Sequence, residues 1–243
     1  MPEGPSIVIA KEQMQSFVGK EVVAVEGNSK TDMQRMEHQV LRDIKSWGKH
    51  LLLCFNGFTV RIHFLLFGSY LINETKTTPL RLGLVFATGT INFYAASVKF
   101  LEGDVNTHYD WSVDVMNEHW DEKKALEKLG KIPAGLICDA LLEQDIFAGV
   151  GNIIKNEVLY RVKIHPESLV GEIPAKDLKN IVKEARKYSF EFLEWKKEYT
   201  LKKHWLAHTK KVCLRCNLPI YRKITGKKNR RSFFCTSCQK LFI

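Results

Sequence analysis

Hydrophobic and polar positions change rhythm three times along this chain. Residues 6–18 carry apolar positions at mixed helical spacing and predict one N-terminal helix. From Glu21 to about Phe100 the pattern shortens into β-rich runs at 22–25, 51–55, 59–64, 70–72, 82–86 and 90–94. Asn56-Gly57 and Thr88-Gly89 fall between runs as hairpin tips. Short strands at this spacing predict a sandwich or barrel. Residues 103–135 are polar and charged, with Pro133 near their end, and predict a domain crossing. Beyond them 136–142, 153–162 and 176–197 read as helices, the last amphipathic and highly charged. The expected class is α+β: a β-rich domain over 1–110, a helical one over 111–200 and a small cysteine module over 201–243.

At 243 residues and 45% hydrophobic content the chain can bury a real core. No apolar run reaches the ~18 residues that a membrane span needs, and the start, MPEGPS, has neither a basic leader nor an apolar stretch. A reducing, cytoplasmic location is expected. Charge alters the picture more than composition does. The last 44 residues hold twelve Lys and Arg and no acidic residue, so the formal charge of +10 comes from the tail. Such a field favours a polyanionic partner. Within it Cys213, Cys216, Cys235 and Cys238 fall as C-x2-C-x18-C-x2-C, the two-knuckle zinc spacing, with a disulfide pair as the alternative. Cys54 and Cys138 sit in apolar surroundings and read as small core residues.

In the helical region Gly149-Val150-Gly151-Asn152 breaks one helix and opens the next, with Asn152 as its N-cap. Glycines there would let a phosphate approach the exposed N–H groups of the new helix. From spacing alone a plain helix–turn–helix corner explains the pattern better. The motifs taken together go further. MPEGP at the start, GKHLLL at 48–53, GVGNII with a following Glu, and a terminal four-cysteine finger with an Arg before its third cysteine occur in one order. In that order the chain resembles the formamidopyrimidine-DNA glycosylase/endonuclease VIII family over essentially its full length.

The resemblance implies a base-excision repair enzyme with an N-terminal β-sandwich, a helix–two-turn–helix domain and a C-terminal zinc β-hairpin. It implies duplex DNA carrying damaged bases or abasic sites as partner, a monomer at work on the nucleoid, and structural Zn2+ as the one cofactor. Once Met1 is removed, Pro2 would present a secondary amine. An α-amino group titrates at ~7.7–8.0 against ~10.4 for Lys, so much of it is unprotonated near neutrality. Such an amine can attack C1′ of a damaged nucleoside and leave an imine, and strand cleavage by β- and δ-elimination can follow. Glu3 matches the catalytic carboxylate of the family, and Lys49 the lysine on a β-hairpin that holds phosphate or assists base departure. Asn152 matches a phosphate-binding asparagine. Arg230, five residues before Cys235, matches the arginine of the finger, with Arg231 as its nearest competitor. Leu65, Leu66 and Phe67 lie where the family places the side chains that fill the hole left by an everted base; apolar strand residues are equally core residues.

Two departures matter. Ser6 stands where the family usually has Glu, which removes one carboxylate from the proton relay. With Met1 still attached, Pro2 is an amide and cannot form an imine. Within the family, Tyr94 to Phe100 lacks the Arg-Arg-Phe wedge of the purine-specific branch, and Thr200 to Val212 is short for its base-capping loop. PEGP and consecutive apolar residues at 65–67 point to the endonuclease VIII branch and to oxidised pyrimidines. The alternatives are the same chemistry on oxidised purines, or a catalytically silent DNA-binding protein that Ser6 keeps open. A zinc nuclease fits poorly, because four cysteine ligands leave no position for water.

Overall fold

In the computed structural model, which describes residues 2–243, the chain divides between Asp110 and Trp111 into two compact units. Met1, whose expected removal frees Pro2, lies outside the described residues.

The first unit opens with α1 (Gly4–Met14), which carries Pro in its first turn, where the missing N–H costs nothing. It starts earlier than its apolar pattern suggests and tightens into a 3₁₀ turn at Gln15–Phe17. Ile7, Ala10 and Met14, spaced three and four apart, are fully buried. Then come β1 (Val22–Glu26), β2 (Asp43–Trp47), β3 (His50–Cys54), β4 (Phe58–Ile72), β5 (Leu80–Phe86) and β6 (Gly89–Glu102). They form one antiparallel sheet in the order β1-β5-β6-β4-β3-β2. The long β4 and β6 pair through Phe58–Phe64 with Ala96–Glu102, lose register, and pair again through Ser69–Ile72 with Ile91–Tyr94. This break divides the long ladder into two halves within the β-sandwich. Its core holds Ile44, Leu51, Leu53, Val60 and Ile62 beside Leu82, Leu84, Ile91 and Phe93. Two expected runs, 59–64 and 70–72, are thus one strand. In β2 only Ile44 and Trp47 are buried, and its Asp, Lys and Ser hide it from a periodicity reading.

The second unit holds α2 (Glu122–Gly130), α3 (Ile137–Ala140), α4 (Asn152–Arg161), α5 (Ala175–Lys197) and the hairpin β7 (Tyr221–Thr225) with β8 (Arg230–Phe234). The polar stretch read as a crossing contains α2, whose N-terminus is capped by the Asp121 carboxylate accepting from the Lys123 and Lys124 amides. The helix expected at 136–142 is a single turn. Turns fill the chain from there to Gly149, where φ is +97°. The second core joins Leu129, Ile137, Leu141, Phe147, Ile154, Val158, Ile181 and Tyr188. α4 has no polar face: every residue from Ile154 to Tyr160 is buried.

Candidate functional site

In the first unit Pro2 and Glu3 open α1. Glu3 is the N-cap, with its backbone carbonyl accepting from the Ser6 amide at 2.8 Å. Its side chain is only 3% exposed, and the adjacent helix N-terminus favours a carboxylate there. α1 packs on β2 and β3, the two strands whose connecting loop, Gly48-Lys49, carries the candidate lysine. Gly48 has φ +52°, which the turn requires. Next to Lys49, His50 pairs across the ladder with His63, and their rings meet edge to face at 5.2 Å. The Tyr109 hydroxyl lies 3.2 Å from His50 Nδ1, and Trp47 closes the cluster at 4.9 Å from Tyr109. Burial, then the Arg61, His63 and Lys49 charges, push the His50 pKa down to about 3, so its imidazole is neutral. Burial lowers His63 too, followed by the charges of Lys49 and Arg61; a hydrogen bond to the Lys49 backbone opposes it.

Two residues past His63 the β4 ladder breaks. Leu65, Leu66 and Phe67 stand there 50%, 60% and 84% exposed. They are not core. Gly68 makes the bulge possible: a Cβ on it would lie 2.8 Å from the Ala95 carbonyl oxygen and from the Leu65 nitrogen.

In the second unit Asn152 is the first residue of α4, not its N-cap; that position is Gly151. Its Oδ1 is shielded from solvent and has no hydrogen-bond partner among the described residues. Gln144 holds the preceding loop, accepting from the Gly149 amide at 3.1 Å and donating to the Val150 carbonyl at 3.2 Å. Arg230 begins β8 opposite Thr225, half-buried, and Arg231 is exposed. The turn before Arg230 is gripped by Asp139, whose carboxylate accepts from the Lys227 amide at 2.7 Å and the Lys228 amide at 3.1 Å. Glu157 accepts from three amides, those of Leu206, Ala207 and His208. Burial raises its pKa, and these amides pull it back. A sequence reading misses Asp139, Lys155 and Asn156, and meets Glu157 only as the Glu that follows GVGNII. The available signal is a Lys-Asn-Glu run inside an otherwise apolar helix.

The sulfur atoms of Cys213, Cys216, Cys235 and Cys238 all lie within 4.8 Å of one another. Cys213 and Cys238 are 3.8 Å apart, Cys216 and Cys235 3.6 Å. A tetrahedral site with Zn–S bonds of ~2.3 Å has edges of about 3.8 Å, so the cluster fits a metal of that size. Burial opposes ionisation of Cys213, but the Tyr160 hydroxyl and nearby amides outweigh it and bring its pKa to about 6. Gln239 ties the second knuckle to the segment that follows α4, accepting from the Cys235 amide at 2.9 Å and donating to the Ile164 carbonyl at 2.8 Å. Cys54 and Cys138 are buried in the two cores.

A β-sandwich with a helix packed on two of its strands, followed by a helical unit carrying a four-cysteine hairpin, is the fold of formamidopyrimidine-DNA glycosylase. Family models agree: the N-terminal domain of that enzyme matches residues 1–100, and its H2TH domain matches 112–201. The chain belongs to the formamidopyrimidine-DNA glycosylase/endonuclease VIII family. It is 29% identical to endonuclease 8-like 3 of Mus musculus, over 83% of this chain and 35% of that protein. It is 25% identical to the formamidopyrimidine-DNA glycosylase of Mycoplasma genitalium, over 99% of this chain and 96% of that one. The fold superposes with a TM-score of 0.88 on the Lactococcus lactis enzyme non-covalently bound to DNA with an AP site, at 21% identity over 98% and 99% of the two chains. The chain spans about a third of the length of the endonuclease 8-like 3 relatives that it matches. No described helix is long and apolar enough to cross a membrane.

Proposed function

We propose that this chain is a bifunctional DNA glycosylase/AP lyase of base-excision repair, acting on duplex DNA with oxidised bases or abasic sites. The observation that carries the reading is the bulge: three consecutive apolar side chains exposed beside the Lys49 hairpin, on a strand whose preceding Val60, Ile62 and Phe64 are core. An apolar wedge held out of its own core suits the hole that an everted base leaves in the stack.

In this reading the Pro2 nitrogen attacks C1′ of the everted nucleoside, its lone pair forming the N–C bond while the glycosidic electrons leave with the base. Glu3 donates a proton to the opening sugar oxygen. The resulting imine acidifies the C2′ proton, and its loss expels the 3′ phosphate by β-elimination; a second elimination releases the 5′ phosphate. Hydrolysis of the imine restores Pro2. Lys49 binds phosphate beside the reacting sugar, while Asn152 and Arg230 bind phosphates in the second unit. The four cysteines hold zinc in a closed shell whose work is structural.

Oxidised pyrimidines are the substrate class we favour. Tyr94 to Phe100 run inside the β4–β6 ladder instead of forming a loop, and several of the relatives are endonuclease 8-like proteins. Borohydride trapping on duplexes with thymine glycol, dihydrouracil, 8-oxoguanine or an abasic site tests the whole reading. Wild type should cross-link to the pyrimidine lesions and the abasic site. Pro2→Gly should lose the cross-link by at least 10²-fold, and Glu3→Gln should lose it on intact lesions but keep it on abasic DNA. A preparation retaining Met1 should give no adduct. Robust trapping by that preparation would refute the imine role of Pro2, and exclusive 8-oxoguanine release would overturn the pyrimidine assignment.

A further inference from the structure

The buried run in α4 includes Lys155, whose side chain is fully enclosed. A buried ammonium is costly unless acceptors surround it. Lys155 Nζ donates to Ser232 Oγ at 2.8 Å and to the Arg231 carbonyl at 3.3 Å. Ser232 Oγ lies 2.6 Å from Thr225 Oγ1, which reaches the Arg230 carbonyl at 3.5 Å. Asn156 adds a second hold: its Nδ2 donates to the Arg231 carbonyl at 3.3 Å and its Oδ1 accepts from the Phe233 amide at 3.2 Å. Side chains of one helical turn therefore grip the backbone of β8 immediately after Arg230. Asn152 stands three residues earlier on the same helix.

We propose that Lys155 is a positioning residue that fixes Arg230 relative to Asn152, so that the two phosphate ligands act as one rigid clamp. The inference rests on the reading of Arg230 and Asn152 as phosphate ligands. A two-stranded hairpin is marginal by itself, and β7 is exposed along four of its five residues. Without a mount, the start of β8 would wander and its arginine would meet the phosphate only part of the time. An ammonium suits the task because it has three donors and no acceptor, so it can hold a carbonyl and a hydroxyl at once. Its charge is felt locally: burial, then Lys155, push the His208 pKa down to about 4.

The test is a double-mutant cycle on DNA affinity. Wild type, Lys155→Met, Arg230→Ala and the double variant are titrated against a duplex containing a tetrahydrofuran abasic analogue, at several salt concentrations. Each single variant should bind at least tenfold more weakly, with a salt slope shallower by about 1, the value of one lost phosphate contact. The double variant should fall within twofold of Arg230→Ala, because Lys155 acts through that arginine. Additive losses overturn the proposal and leave the phosphate reading standing, whereas Arg230→Ala with wild-type affinity overturns both. A Lys155→Met protein that loses zinc and melts early, at an unchanged salt slope, shows a merely structural lysine and also overturns it. Should that variant fail to fold, Ser232→Ala replaces it in the cycle, with a smaller loss that again vanishes in the Arg230→Ala background; full affinity in Ser232→Ala counts against the mechanism.

Discussion

His50 and His208 show how position rewrites residue chemistry. Both rings have an ordinary pKa near 6.5 in an unfolded chain. Burial and neighbouring cations bring them to about 3 and about 4. A histidine that the fold keeps neutral contributes stability fully present above pH ~6.5 and lost as pH falls through its folded pKa. Thermal melts should therefore show stability declining from pH 6.5 towards 4. His50→Phe should flatten the part of that decline belonging to the first unit; an identical acid limb in the variant would contradict this. The motif that nominates Lys49 also contains His50, but nothing in it reveals that His63 stands beside them. The two histidines lie thirteen positions apart, and only the β3–β4 register brings their rings into edge-to-face contact.

Among the elements, the bulge in β4 separates stability from function most cleanly. Gly68 is required by backbone proximity, so Gly68→Ala should destabilise the protein by about 1–3 kcal/mol in denaturant melts. Leu66→Ala and Phe67→Ala remove side chains with little burial, and should stay within about 0.5 kcal/mol of wild type while base excision drops at least tenfold. A large loss of stability in Phe67→Ala would mean that it is a packed core residue. Most elements of this chain overlap the apolar runs read in its sequence: α1, five of the six sandwich strands, α4 and α5 do so, although α1 starts earlier and β6 continues past Tyr94 to Glu102. β2 and α2 do not, because each carries more polar than buried positions.

At the scale of the whole molecule, charge and the four-cysteine cluster converge on the same small hairpin. The cysteine cluster is fastened to α4 through Tyr160, whose hydroxyl lies 3.2 Å from Cys213, and to the segment just after α4 through Gln239. α4 in turn buries Lys155, Asn156 and Glu157 against the hairpin and the segment leading to it. Removing the proposed zinc with a strong chelator should thus do more than loosen the finger. It should lower the melting temperature of the second unit and abolish DNA retention at moderate salt, while the first unit melts as before. Unchanged DNA binding after verified loss of zinc would sink this coupling.

The amino-acid order alone determined the local facts: strand and helix periodicities, a metal-type cysteine spacing, a tail carrying the net charge, and motifs sufficient to suggest the family. These are legible because each depends on residues close in sequence. Tertiary structure alone decided what is buried and what is presented. Apolar Leu65, Leu66 and Phe67 stand in solvent because a ladder break and one glycine lift them from the core. Charged Lys155 and Glu157 are enclosed because a hairpin some 75 residues away supplies acceptors for one, and the segment before it supplies donors for the other. Hydropathy predicts the reverse in both cases, since it prices a side chain against water and knows nothing of the partners that folding brings to it.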